Sequence, residues 1–315
     1  MMTKAVLRYG SWPVLFLGMS AWIIHLAATG HGILPMLGVL ALAIGLTFLV
    51  EHSIPYQPEW NRPHGDIRRD WLHAVVNLTL NRALLWTLPL FAWMSLSDGV
   101  WPAEWPFWAQ AVLSVFTWPT EWPFWAQVLF AVLILDMGIA AAHHASHKFH
   151  TLWALHAVHH SVKRLYGFNG LMKHPLHQLI ETLTGVLPLL LLGVPFEVAI
   201  TLPFLVSLSL LAQHSNADYR LGPLKFVFAH AETHRFHHTN DKNGNYNYGL
   251  FTNLYDLLMG TFHYQKGATP STSAELGIGG RDDYPKDYRA QLVQPFVDMQ
   301  NPRPMPDSST VKTKA

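Results

Sequence analysis

Apolar runs of bilayer length constrain this 315-residue chain more than any other feature. Two of them open it, Trp12 to Thr29 and Ile33 to Val50, each about 18 residues and so about 27 Å of helix, close to the hydrocarbon thickness of a membrane. A tight turn, Gly30-His31-Gly32, joins them. The basic start (Lys4, Arg8) would also suit a secretory signal, but a second run follows the first at once, which favours a retained anchor. A third run, Leu78 to Leu96, carries Asn81 and Arg82 near its start, where a long side chain reaches the headgroups. The fourth, Pro123 to Ala142, is interrupted only by Asp136. A further block, Leu179 to Ala212, is broken at Gly193, Val194 and Pro195 into two arms short for independent spans. It reads as a helical hairpin, so the chain returns to the side it left, and His177 and His214 share one face.

Half of the residues are hydrophobic and 13% are charged, which fits a membrane protein better than two soluble domains. The Lys/Arg bias sets the orientation. Lys4, Arg8, Arg62, Arg68 and Arg69 fall before the first run or between the second and third, whereas Ser97 to Trp122 carries none. Both termini are therefore expected in the cytoplasm, as is the stretch that follows Ala142. The expected fold is an all-α integral membrane protein, with about four transmembrane helices and a hairpin capped by a cytoplasmic His-rich helical domain. Its regions are an N-terminal transmembrane part (1–142), a His-box catalytic part (143–265, with the membrane hairpin at 179–212) and a polar, solvated tail (266–315).

A net charge of +1 and the absence of any Lys/Arg cluster or zinc-finger spacing exclude a nucleic-acid partner. Cysteine is absent, which removes disulfides, thiolate metal sites and cysteine nucleophiles. One ten-residue segment, 101–110, recurs at 118–127 with nine identities. Two copies do not make a solenoid, and a local duplication with Trp in the interfacial belt accounts for them.

Of 20 histidines, 15 lie between His143 and His263. His143, His144 and His147 follow the fourth run, and positions i and i+4 lie on one helical face, so His143 and His147 can chelate one ion. His156, His159 and His160 sit at i, i+3 and i+4, and His234, His237 and His238 repeat that spacing. His214 ends the hairpin. A lone His is usually a satisfied polar side chain, but clustered imidazoles are costly when desolvated without partners and repel when protonated. A metal centre removes both problems. One structural ion needs only four ligands, so eight or nine candidates favour a dinuclear site. Spacing does not choose among Zn, Cu, Fe and Ni. Asp136, on the stripe that leads to His143, is either a carboxylate orienting a ligand ring or a polar residue at headgroup level.

At this point the chain resembles the fatty acid hydroxylase and sterol desaturase superfamily of integral-membrane di-iron enzymes. The likeness rests on the Asp-bearing helix leading to His143 and His147, on Leu-Trp-Ala-Leu-His-Ala-Val-His-His-Ser (152–161) and on Lys-His-Pro-Leu-His (173–177). It continues through Gln-His-Ser-Asn (213–216), His-Arg-Phe-His-His-Thr-Asn (234–240), Asn-Tyr-Gly (247–249) and Leu-Tyr-Asp-Leu-Leu-Met-Gly-Thr-Phe (254–262). The resemblance implies two irons at the membrane face, with His143, His147, His156, His159, His160, His214, His234, His237 and His238 as ligands. It implies O₂ as co-substrate and a lipid C–H bond as the target. Where some members carry an acidic residue after the His-Pro pair this chain has His177, and where some place another His it has Asp218. His144, His174, His177, Asn216, Asp218, His230, Asn247 and Asp256 are left as candidates for orienting ligands, for an extra ligand, or for holding loops.

Three functions follow. The first is hydroxylation of a fatty acyl chain, polar membrane lipid or sterol-like lipid, with O₂ and two electrons. The second ends in desaturation at the same site. The third, a metal transporter or sensor, fits less well, because transporters place polar groups and broken helices at the midplane, whereas these boxes follow the ends of apolar segments. No flavin, nicotinamide, haem or iron–sulfur signature is present, so electrons are expected from a separate ferredoxin, or from a cytochrome with its reductase.

Overall fold

The computed structural model describes residues 2–96 and 118–302. The protein is all-helical, and its only β pairing among those residues is three isolated bridges. Helix α1 (Met2–Trp12) runs through a π-helical turn (Pro13–Gly18) into α2 (Met19–Ala28). The wider turn sits at Pro13, whose ring has no N–H to close an ordinary helical bond. Gly30, at φ 72°, reverses the chain into α3 (Ile33–Ser53). Then come α4 (Ile67–Leu96), α5 (Phe124–Ser146), α6 (His150–His160) and α7 (Pro175–Leu191). The chain closes with α8 (Phe196–Ala199), α9 (Leu202–His214), α10 (Ala231–His237), α11 (Leu254–Met259) and α12 (Tyr288–Gln300).

Four stretches among the described residues are long and apolar enough to cross a membrane: Lys4–Ala28, Ile33–Ser53, Phe124–Ser146 and Phe196–His214. Three match the expected first, second and fourth runs. The expected third run lies within α4 but is not among the four, and the second hairpin arm takes its place. Asn81 and Arg82 lower the hydropathy of the α4 run, while α8 and α9 join into a continuous apolar stretch. The hairpin itself is present, turning at Gly193 with φ 74°.

The core joins α2, α3, α5, α7 and α9 through residues such as Ile23, Met36, Val128, Leu189 and Leu205. Helices α5 and α7 approach at Gly138 and Gly185, where a side chain on Gly138 would collide with the Thr184 backbone. Small residues at such a crossing let two helix backbones pack directly.

One sequence expectation changes here. The stretch after Gln265, expected to be a solvated tail, carries α12, whose Gln291, Pro295 and Asp298 are buried against the cap. Its polar composition is satisfied by internal bonds, such as Arg281 to Asp298 at 2.8 Å. Only 303–315 of that tail lie outside the described residues, as does the first copy of the repeat at 101–110. The second copy forms the turn that starts α5, where Trp118 donates to Gln127 Oε1 at 2.7 Å and Gln127 donates to the carbonyls of Thr120 and Trp122.

Candidate metal centre

Four helices aim their C-terminal ends at one place. His143 lies in the last turn of α5 and His147 is its C-cap; His159 and His160 end α6. His214 is the last residue of α9, and His237 and His238 close α10. Helix C-termini carry partial negative charge from unpaired carbonyls, which favours a cation there.

The nine rings fall into two groups, His143, His147, His156, His160 and His237 in one, and His159, His214, His234 and His238 in the other. Within each group one nitrogen per ring lies within 4.8 Å of all the others. The two His-x-x-His-His boxes, expected to present three rings on one stripe, are divided instead. Each gives its i, i+4 pair to one group and its i+3 ring to the other, in opposite senses. His156 and His160 join the first group and His159 the second; His234 and His238 join the second and His237 the first. The groups abut, since His234 stacks on His237 at 4.9 Å and His160 on His238 at 5.0 Å between ring centres.

Bonds on the outer side fix which nitrogen faces inward. The Nδ1 atoms of His143, His159, His214 and His237 lie 2.8–3.1 Å from the carbonyls of Tyr248, Met172, Leu210 and Tyr246. A carbonyl only accepts, so each of these nitrogens carries the hydrogen, and the inward Nε2 of the neutral ring is bare. Burial, with the neighbouring rings adding to it, holds His156, His159, His160, His234 and His238 well below the ordinary imidazole range. Burial also brings His237 down to about 3. His159 and His214 therefore point two bare nitrogens at one another across 3.3 Å. That contact is no hydrogen bond; it is lone pair against lone pair, and a shared cation turns it favourable. In the first group His156 Nε2 meets the Nε2 atoms of His143 and His160 at 3.0 Å each, and His147 Nε2 is buried without a partner. The outer nitrogens of five rings have partners, four on carbonyls and that of His147 on Asn245 Oδ1, whereas Nδ1 of His156, His234 and His238 is buried without one. A cluster of neutral imidazole donors of this kind fits a pair of divalent metal ions.

The surrounding residues fix these rings. Asp136 is not against any ligand ring. Its carboxylate accepts from the backbone N–H groups of Leu250, Phe251 and Thr252 at 2.8–3.0 Å and from the Thr252 hydroxyl at 2.7 Å. It thus acts on the loop whose Tyr248 carbonyl holds His143. Asp256 serves the same loop, accepting from Tyr248 N, Gly249 N and Thr261. Asn247, at φ 61°, donates to the carbonyls of Thr233 and His263. Asn216 bridges Gln57 and Asn61, and Asp218 pairs with Arg8 and Arg220 at 2.8 Å.

Of the remaining histidine candidates, His174 caps α7 and lies by Leu292 and Phe296, away from both groups. His230 caps α10, accepting from Glu232 N. His144 stacks on Tyr248 at 4.5 Å and meets the Tyr255 hydroxyl. Only His177 stands beside the centre, with its ring 4.4 Å from that of His156, its Nε2 bonded to Ser146 and its Nδ1 without a hydrogen bond, 3.8 Å from Glu181 Oε1.

Sequence reasoning missed Arg235. Fully buried between two ligand positions, it turns away from them to donate to the carbonyls of Ser215 and Ala217, 2.8 Å each, and lies over the Tyr56 ring at 3.9 Å. It ties α10 to the strand of chain that leaves His214. A charged residue inside a His box was the available signal, since buried Arg needs a specific partner.

A family model described as fatty acid hydroxylase matches residues 128–261, a segment that contains all nine rings. Over 263 residues the chain is 32% identical to the ornithine lipid hydroxylase OlsE of Rhizobium tropici, an alignment covering 80% of this chain and 73% of that protein. The chain belongs to the fatty acid hydroxylase family, as a membrane protein with a histidine cluster able to hold metal. No solved structure matches it.

Proposed function

We propose that this protein hydroxylates a membrane lipid at an iron centre held by the two histidine groups. His143, His147, His156, His160 and His237 would hold one ion, and His159, His214, His234 and His238 the other. When bound, the iron pair supplies the redox chemistry by which O₂ oxidises an unactivated C–H bond. The observation that carries the proposal is the pair of bare nitrogens on His159 and His214, a contact that a shared cation would turn favourable.

The protein's own contribution is order. Carbonyls of four separate segments hold the ring orientations, which preorganises ligands as a reactive centre requires. Burial keeps water from the rings, nine residues that are each 9% exposed or less. The relative's name specifies an ornithine lipid, and a polar, amino-acid-bearing membrane lipid is the substrate class we favour here, ahead of a sterol-like ring. The Lys/Arg bias favours a cytoplasmic side for the histidine cluster, where a lipid would enter from the bilayer and reducing equivalents arrive from water. The electrons come from a separate carrier protein.

The test is expression in a host that makes ornithine lipids, followed by mass spectrometry of the extracted lipids. A gain of one oxygen on a polar lipid is expected. Loss of two hydrogens instead would assign desaturation, and an unchanged lipid profile with iron-loaded protein would refute catalysis on these lipids.

A further inference from the structure

Away from the metal centre, a cleft of about 780 Å³ opens between the start of α4 and the start of α12. Arg68, Arg69, Lys286 and Arg289 line it against one acid, Asp287, which is occupied in capping α12 through Ala290 N. Arg69 is spent on Asp70 at 2.7 Å. Arg68, Lys286 and Arg289 are exposed, and none is ion-paired to a described residue. Gly65, Arg69 and Lys286 also line a second cleft of about 220 Å³, where Lys163 and Arg281 are paired with Asp282 and Asp298, so the unpaired positive charge belongs to the first. Such a surface attracts a negatively charged partner and speeds its encounter.

What distinguishes this cleft from an ordinary basic patch is the floor beneath it. Tyr288, in the cleft wall, meets the ring of His73 edge-on at 4.7 Å. His73 is wholly buried and is not one of the nine rings of the two groups. Its Nδ1 bonds the Lys173 carbonyl at 3.0 Å, and one peptide back the Met172 carbonyl accepts from His159 Nδ1 at 3.1 Å. On its other side His73 Nε2 meets Gln291 Oε1 at 3.0 Å, and Gln291 donates to Ser161, the residue after His160. Both histidine groups are therefore reached from one buried ring by covalent bonds and short hydrogen bonds.

We propose that this cleft docks an acidic one-electron carrier protein, and that the electron passes by way of Tyr288 and His73 to the ligand His159. The proposal rests on the hydroxylase reading and names the partner that reading requires. Converting R–H and O₂ to R–OH and water consumes two electrons and two protons, so the carrier is oxidised by one electron at each of two visits per turnover. An anionic lipid headgroup would also suit three basic side chains, but it has no use for a bonded path to the metal ligands.

The test uses full-length protein in nanodiscs, with an acidic [2Fe–2S] ferredoxin and its NADPH-dependent reductase as probe. Its readouts are ferredoxin affinity, measured without turnover, and lipid hydroxylation driven either by ferredoxin or by dithionite with a small mediator. In the variant Lys286→Glu/Arg289→Glu, ferredoxin binding should weaken roughly tenfold and lose most of its salt dependence, while dithionite-driven hydroxylation stays at the parent rate. Tyr288→Leu, which leaves the bonds of His73 to Lys173 and Gln291 in place, should leave metal content unchanged but slow ferredoxin-driven turnover at saturation, again sparing the dithionite rate. Unchanged ferredoxin affinity in the charge-reversed variant overturns the docking site. The same holds if that variant loses affinity only for vesicles containing phosphatidylglycerol, which would make the cleft a lipid site. Unchanged saturated turnover in Tyr288→Leu overturns the path. If neither reductant yields product while charge-dependent ferredoxin binding persists, the hydroxylase reading fails and the docking surface stands.

Discussion

Replacing Asp136 with Asn removes a charge without changing shape, and the structure sets what that costs. The carboxylate takes four hydrogen bonds, Leu250 N and Phe251 N on Oδ1 and Thr252 N and Oγ1 on Oδ2. An amide keeps one acceptor oxygen. If that oxygen faces Leu250 and Phe251, the NH₂ group confronts the Thr252 amide donor to donor. One charge-assisted backbone bond is then lost, the Thr252 hydroxyl must turn around to accept, and a buried N–H is left unpaired. Hydrogen bonds to charged groups are each worth about 1.5–3 kcal/mol, and a stranded buried donor costs about 1–3 kcal/mol more. The loop from Tyr248 to Thr252 should therefore be destabilised by about 2.5–6 kcal/mol. That loop supplies the carbonyl that orients His143, and Gly249 and Leu250 in it accept from Gln213 and Ser209. Loss of such outer support typically weakens metal binding about 10–100-fold. The assay is a chelator titration of the metal-loaded, detergent-solubilised protein, with thermal unfolding recorded alongside. Thr252→Val, which deletes only the hydroxyl bond, should fall between parent and Asp136→Asn in both. If Asp136→Asn holds metal as tightly as the parent and unfolds at the same temperature, the loop does not position His143 as described.

Three further outcomes are expected. His159→Ala and His237→Ala each take one ring from a different group and should abolish product while leaving membrane insertion intact, as checked by fractionation; activity retained in both would sink the ligand assignment. Gly138→Val forces a side chain into the Thr184 backbone, and the overpacking should cost about 1–3 kcal/mol, read as a lower unfolding temperature; an unchanged temperature would contradict the close α5–α7 crossing. Arg235→Met keeps the buried bulk but strands the Ser215 and Ala217 carbonyls, so metal should be lost first from the group containing His214. Spectroscopy of cobalt-substituted protein can show this, and equal loss from both groups would refute that role.

Much of this was legible in the sequence because periodicity and spacing are local. The nine rings could be gathered from i, i+3, i+4 patterns and from the ends of apolar runs, and the structure places all nine together. Their division into two groups was not legible. It depends on which side of α6 faces α5 and which faces α9, a tertiary fact that a helical stripe alone does not contain. Asp136 was open between two roles because a carboxylate in an apolar run announces burial but not its partner; that partner is a loop more than a hundred residues on. His73 and Gln291, joined across 218 positions, carried no local signal at all. The third apolar run lies within α4, which is long enough to span, although Asn81 and Arg82 leave it less apolar than the other four stretches.

The central claim is a metal ion in each of the two histidine groups, and elemental analysis of purified protein after iron loading tests it most directly. The parent should bind one iron for each group, and His214→Ala and His156→Ala should each lower the content, because each removes a ring from a different group. Protein that stays metal-free after loading, or whose metal content is indifferent to both substitutions, would contradict the account.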